Sequence, residues 1–160
     1  MQTEGFGSRG EWWVVGQAFL MPAAAAIAWW SRFPGGWPGA FHLAGVAAGL
    51  ICLAVAVALV AGGLVKLGSN LAVVPKPIEQ GSLVQGGVYG LVRHPIYAGI
   101  IFGVLGWSLA LNSLAGLAMS GAMLAFFDLK SRREEVWLAR KYPEYAAYRA
   151  RVRKLIPCLY

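Results

Sequence analysis

"PIYAGIIFGVLGWSLALNSLAGLAMSGAMLAFF", residues 95–127, is two apolar runs separated by only Asn112 and Ser113. A connection that short forces an antiparallel pair of helices. Gly99, Gly103 and Gly106 lie on the first arm, and Gly116, Ser120 and Gly121 on the second. Small residues at helical spacing let membrane helices approach closely, so a tight hairpin is predicted. Just upstream, "GLVRHPIYAG" (residues 90–99) sets Arg93 and His94 at the threshold of oil. Pro95 falls at the favoured first helical position, with His94 at the cap. Downstream, the helical pattern continues through "DLKSRREEVWLARKY" (128–142) as a charged amphipathic extension. Pro143 breaks it. A short segment, "EYAAYRARVRKLIP" (144–157), follows and ends at Pro157.

The rest of the chain fits a membrane setting. Of its 160 residues 58% are hydrophobic and 13% charged; soluble domains carry roughly 25% charge. Trp12–Trp30, "WWVVGQAFLMPAAAAIAWW", has tryptophan pairs at both ends, as interfaces favour. At 1.5 Å per residue it reaches roughly 28 Å, about one hydrocarbon core. Pro22 is a potential kink. "SRFPGGWPG" (31–39) is a turn-rich break, and Ala40–Val65 is a second span containing Gly45 and Gly49. The expected fold is therefore an all-α integral membrane domain of about four transmembrane helices. Residues 12–67 form two N-terminal spans, 68–94 a long cytoplasmic loop, and 95–160 the hairpin and a helical C-terminal extension.

Thirteen of the fourteen Lys and Arg residues fall on the side shared by both termini and the loop; only Arg32 lies on the other. The positive-inside rule then puts both termini in the cytoplasm. The net charge of +7 comes from these flanks and the tail, which argues against a nucleic-acid partner. Arg149, Arg151, Arg153 and Lys154 read as a segment facing lipid headgroups. Cys52 and Cys158 are too far apart in sequence for a metal spacing and read as unpaired thiols. With His42 and His94 the only histidines, no metal site is expected. The loop is too apolar for disorder. It is expected to lie along the membrane surface or to pack over the hairpin; its apolar residues are Leu71, Val73, Val74, Ile78, Leu83 and Val84.

The polar residues near the membrane form two clusters. Tyr89, Arg93, His94 and Tyr97 precede the third span; Asp128, Arg132, Arg133, Glu134, Glu135, Tyr142, Tyr145 and Tyr148 follow the fourth. A hairpin brings both to one end, where Arg93 and the two glutamates can line one pocket. The ordered set R-H-P-x-Y-x-G (Arg93 to Gly99), E-E-x-x-L (Glu134 to Leu138), Y-x-x-Y (Tyr145, Tyr148) and V-x-K-L-I-P (Val152 to Pro157) resembles the isoprenylcysteine carboxyl methyltransferase family. Phospholipid N-methyltransferases have a similar C-terminal half. The resemblance covers roughly residues 81–157. It implies an integral-membrane methyltransferase with S-adenosylmethionine as cofactor. It also implies a pocket built from the hairpin, the loop before it and the C-terminal segment. A Rossmann-type methyltransferase is excluded, for no strand–glycine-loop–helix pattern occurs.

The resemblance implies cofactor-binding roles for Tyr89, Arg93, His94, Pro95, Tyr97, Glu134, Glu135, Tyr145 and Tyr148, with Arg93 and Glu134 catalytic. Arg93 suits a carboxylate of cofactor or substrate. The glutamates suit the cofactor's ammonium or ribose hydroxyls. Adjacent on a helix, they point about 100° apart, so one is expected at the cofactor and the other on Arg132 or Arg133. Plainer roles stand beside these: Arg93 as an interfacial anchor, His94 as a helix start, the tyrosines as buried rings. The acceptor is expected to be a lipophilic small molecule or lipid reached from the bilayer, with membrane lipids as partners and the oligomeric state open. A carboxylate acceptor needs no general base, whereas an amine must lose a proton to a glutamate. Phosphatidylethanolamine N-methylation is the alternative of the same fold; a sterol-reductase-like enzyme and a non-enzymatic lipid-binding scaffold are alternatives of other classes.

Overall fold

The computed structural model describes residue 5 and residues 7–72, 74–157 and 159–160; Val73 and Cys158 lie outside them. The described residues form α1 (Glu11–Trp30), α2 (Ala40–Leu67), α3 (Pro95–Ala110), α4 (Leu114–Lys141) and α5 (Tyr145–Arg151), with two 3-10 turns at Gly68–Asn70 and Gly87–Gly90. Every regular element among the described residues is helical. α1, α2 and α4 are long and apolar enough to cross a membrane. α3 has 16 residues, about 24 Å of helix.

Helix ends follow local chemistry. Glu11 opens α1 by accepting the backbone N–H groups of Gly7 (2.9 Å) and Arg9 (3.0 Å), negative charge being favoured at that terminus. α2 ends at Gly68, whose φ of 49° is left-handed. Ser113 caps α4 by accepting the Gly116 N–H at 2.9 Å. α4 then runs unbroken for 28 residues, through the charged extension, to Lys141. Tyr142 is extended because Pro143 follows it. At the end of the molecule away from the charged extension, Asn112 Oδ1 accepts the Trp37 N–H at 2.9 Å, and Ser31 and Ser113 share a hydroxyl–hydroxyl bond of 2.7 Å.

Gly99 and Gly106 of α3 face α2 and not α4 as expected. A methyl at Gly49 of α2 would lie 2.7 Å from the Gly106 carbonyl oxygen, and one at Gly99 would lie 2.9 Å from that of Ala56. The closest helix approach is therefore α2 against α3, backbone to backbone. On the α4 side Gly116 does take the expected place, since a methyl there would lie 2.5 Å from the Ser108 hydroxyl oxygen of α3; further along, in opposing order, Ile101 is beside Met123 and Tyr97 is stacked on Phe127. Gly121 faces open space. α1 packs on α4 through Trp13 against Phe126, ring centroids 5.4 Å apart.

The C-terminal segment stops being helical after Arg151 and pairs with the turn before α3. Val92 and Arg153 form a parallel bridge; the Arg93 N–H donates to the Arg153 carbonyl (2.8 Å) and the His94 N–H to that of Lys154 (3.2 Å). Leu155 is then fully buried beside Ile101, Met123 and Phe127. This corrects one reading of the tail. Arg149, Arg151 and Arg153 are exposed, but Lys154 is buried with its ammonium 2.6 Å from Asp128. A cation that close to a carboxylate has no need of a headgroup.

Candidate functional site

The charged end of the bundle encloses a cavity of about 340 Å3, within the roughly 300–1,000 Å3 of small-molecule sites. Its roof is the connection between α2 and α3, including Leu71, Pro75, Pro77 and Ile78. Of the two courses expected for that loop, it takes the second and packs over the helices. Hydrogen bonds from α4 and within the connection hold it. Lys141 donates to the carbonyls of Ile78 and Glu79, Tyr142 Oη donates to the Gly81 carbonyl (2.8 Å), and Asn70 Oδ1 accepts the Ser82 N–H (2.7 Å).

Tyr89, Arg93, His94, Pro95, Tyr97, Glu134, Tyr145 and Tyr148 all line this cavity. Of the nine residues given cofactor-binding roles, all but Glu135 thus converge here. Glu135 lies behind the wall, 6% exposed. It accepts from Arg93 Nε at 2.9 Å and sits 3.2 Å from His94 Nε2, with Arg149 at 3.7 Å. The expected pairing of a glutamate with Arg132 or Arg133 does not occur, because Arg132 bonds Asp128 one turn back at 2.7 Å. Arg93 also donates to the carbonyls of Arg149 and Val152. Its guanidinium therefore ties the turn before α3 to α4 and to the end of α5.

Glu134 is the carboxylate that faces the cavity. It accepts from Tyr97 Oη at 2.7 Å and lies 3.8 Å from His94 Nδ1. The His94 and Tyr97 rings stack with centroids 5.4 Å apart, a consequence of their spacing across the first turn of α3. Tyr148 Oη donates to the Tyr89 carbonyl at 2.7 Å, closing the 3-10 turn onto α5. Burial pushes the Tyr148 phenol up to about 12 and raises Tyr89 and Tyr145 as well. All three are therefore neutral donors at physiological pH. Tyr145 is 1% exposed, and its hydroxyl has no hydrogen-bond partner among the described residues. A buried polar atom without a partner is costly; other atoms of the same residue line the cavity.

Two wall residues escaped the sequence reading. Lys130 is 3% exposed, its ammonium 4.8 Å above the Tyr97 ring and 2.5 Å from Gln17 Oε1 of α1. Lys130 stands four residues before Glu134, hence on the same helix face. Gln17 is an amide inside an apolar run. Both were visible signals, since polar groups within spans mark functional sites. Together the wall combines the Glu134 carboxylate, the Lys130 ammonium and the rings of Tyr97 and Tyr145 beneath an apolar roof. Among the described residues, no group of three or more His, Cys, Asp or Glu is arranged to hold a metal ion.

The chain is 34% identical over 82 residues to the cobalt-zinc-cadmium resistance protein CzcN of Cupriavidus metallidurans, covering 51% of this chain and 38% of that protein. It is 36% identical over 73 residues to a "Probable protein-S-isoprenylcysteine O-methyltransferase" of Oryza sativa, in both subspecies indica and japonica, covering 42% of this chain and 38% of theirs. The match thus spans well under half the length of these relatives. No solved structure matches the chain. The family model described as "Phospholipid methyltransferase" matches residues 44–145, which hold α3 and most of the cavity wall. The chain belongs to the phospholipid methyltransferase family.

Proposed function

We propose that the protein transfers a methyl group from S-adenosylmethionine to a lipophilic acceptor at the cytoplasmic membrane face, in the manner of isoprenylcysteine carboxyl methylation. The observation that carries this reading is a single cavity whose wall combines Glu134, Lys130, Tyr97 and Tyr145. These groups fit the cofactor's chemistry. Glu134 suits its ammonium or ribose hydroxyls; Tyr145 suits an acceptor oxygen or nitrogen. When bound, S-adenosylmethionine supplies an electrophilic methyl on a sulfonium. Tyr97 fixes the Glu134 carboxylate, the apolar roof keeps water out, and Arg93 holds the turn that carries His94 and Pro95. A carboxylate acceptor needs only orientation beside the methyl donor. For an amine acceptor, Glu134 is the cavity-facing base, and the family match favours phospholipid N-methylation as the second reading.

α3 joins the three longer helices as a fourth span, with α3 and α4 as a hairpin, so both termini and the 66–94 connection share the cytoplasmic side. Reporter fusions at residues 36 and 113 should then read lumenal or periplasmic, and fusions at 80 and 160 cytoplasmic. A cytoplasmic reading at 36 sinks this topology. The reaction is tested with methyl-labelled S-adenosylmethionine and the purified chain in detergent. Label is expected in a prenylcysteine carboxylate, as a base-labile ester. Label in phosphatidylethanolamine instead supports the second reading. No binding of S-adenosylmethionine removes both.

A further inference from the structure

α1 lies outside the segment that matches the family, yet it reaches into the cavity through Gln17. Its carbonyl oxygen, 2.5 Å from Lys130 Nζ, is the one hydrogen-bond acceptor of that ammonium among the described residues. Lys130 otherwise rests on the Tyr97 and Phe127 rings, at 4.8 and 5.7 Å. A buried ammonium has three donors to satisfy, and a charge removed from water without an acceptor is strongly disfavoured. The nearest alternative is on its own helix. Glu134 lies four residues on, a spacing at which opposite charges pair. That pairing would turn Glu134 from Tyr97 and fill the polar end of the cavity.

We propose that Gln17 is a positioning residue: it holds the Lys130 ammonium against the Tyr97 ring and so keeps Glu134 open to the cofactor. The first helix then completes the site as well as anchoring the chain. The inference rests on the methyl-transfer reading, since it takes S-adenosylmethionine as the ligand. Tyr97 completes the arrangement, donating to Glu134 on one side and presenting its face to Lys130 on the other.

The test is equilibrium binding of S-adenosylmethionine to the full chain in detergent, by titration calorimetry. Gln17→Met keeps the side-chain length and removes the acceptor; binding is expected to weaken at least about tenfold, the scale of one charge-assisted bond. Gln17→Glu keeps an oxygen at the same reach and is expected to stay within about threefold of wild type. In a Lys130→Met background, adding Gln17→Met should change binding by less than about twofold, because a residue acting through Lys130 has nothing left to act on. Should Gln17→Met not yield monodisperse protein, Gln17→Asn carries the test: the amide is one methylene shorter, and the same loss is expected. Unchanged binding in Gln17→Met or Gln17→Asn overturns the proposal. So does a full additional loss in the Lys130→Met background, which would make Gln17 a direct ligand contact or a plain packing residue. A wild-type chain that binds no S-adenosylmethionine overturns the methyl-transfer reading itself, and this inference with it.

Discussion

An Arg93→Ala variant is expected to unfold at a clearly lower temperature than wild type and to lose S-adenosylmethionine binding with it. The guanidinium joins Glu135 and the carbonyls of Arg149 and Val152. Removing it strands Glu135, which is 6% exposed, with His94 and the more distant Arg149. Breaking one side of a buried ion pair costs about 3–5 kcal/mol. The turn before α3 would also lose its side-chain tie to α5, leaving the main-chain bonds to Arg153 and Lys154. Arg93→Lys should not restore stability, because a compact ammonium cannot span a carboxylate and two carbonyls as a planar fork does. Thermal unfolding in detergent, read beside calorimetric binding, decides the matter. If binding disappears while the unfolding temperature holds, Arg93 touches the ligand directly and its role as a tie is wrong.

The two adjacent glutamates should part company in the same pair of measurements. Glu134→Gln removes the charge that faces the cavity and should weaken cofactor binding by about tenfold or more, 1.4 kcal/mol, with little change in stability. Its amide oxygen can still accept from Tyr97 Oη, so the local packing survives. Glu135→Gln should do the opposite. It leaves the Arg93 cation without its nearest counter-charge, and the loss of charge-assisted bonds costs about 1.5–3 kcal/mol in stability. Any loss of binding should follow from the loosened turn. Equal effects of both substitutions on binding at unchanged stability would mean that both carboxylates reach the ligand.

What the sequence made legible was local. Apolar runs and, for the end of α4, the charged helical pattern up to Pro143 located the four long helices to within about two residues, the usual limit at helix ends. Pro95 and Pro143 marked a start and a stop because proline's geometry acts on its immediate neighbours. The R-H-P and E-E groups converged because one short turn folds α3 back along α4. Long-range choices were not legible. Gly99 and Gly106 offered a smooth face, but nothing in their spacing chose α2 over α4 as the helix to receive it. Lys130 and Gln17 are 113 positions apart, and only the packing of α1 on α4 introduces them. The chain after Arg151 read as a continuing helical segment; its extended form depends on the open main-chain edge at Val92 and His94, which no local rule anticipates.

The fastenings of the roof grip backbone. Lys141 and Tyr142 donate to the carbonyls of Ile78, Glu79 and Gly81, and every amino acid supplies a carbonyl. The lid is thus attached in a way that ignores the identity of most of its own side chains. Asn70, whose amide oxygen holds the Ser82 N–H, and Gly81 are exceptions, since a methyl at Gly81 would lie 2.8 Å from Ile78 and 3.1 Å from Asn70. Ile78, Pro77 and Leu71 line the cavity, yet none uses its side chain to keep the lid in place. Acceptor preference is therefore separable from architecture: the apolar lining can be exchanged, residue by residue, for other shapes while the clasp and the polar wall beneath stay as they are.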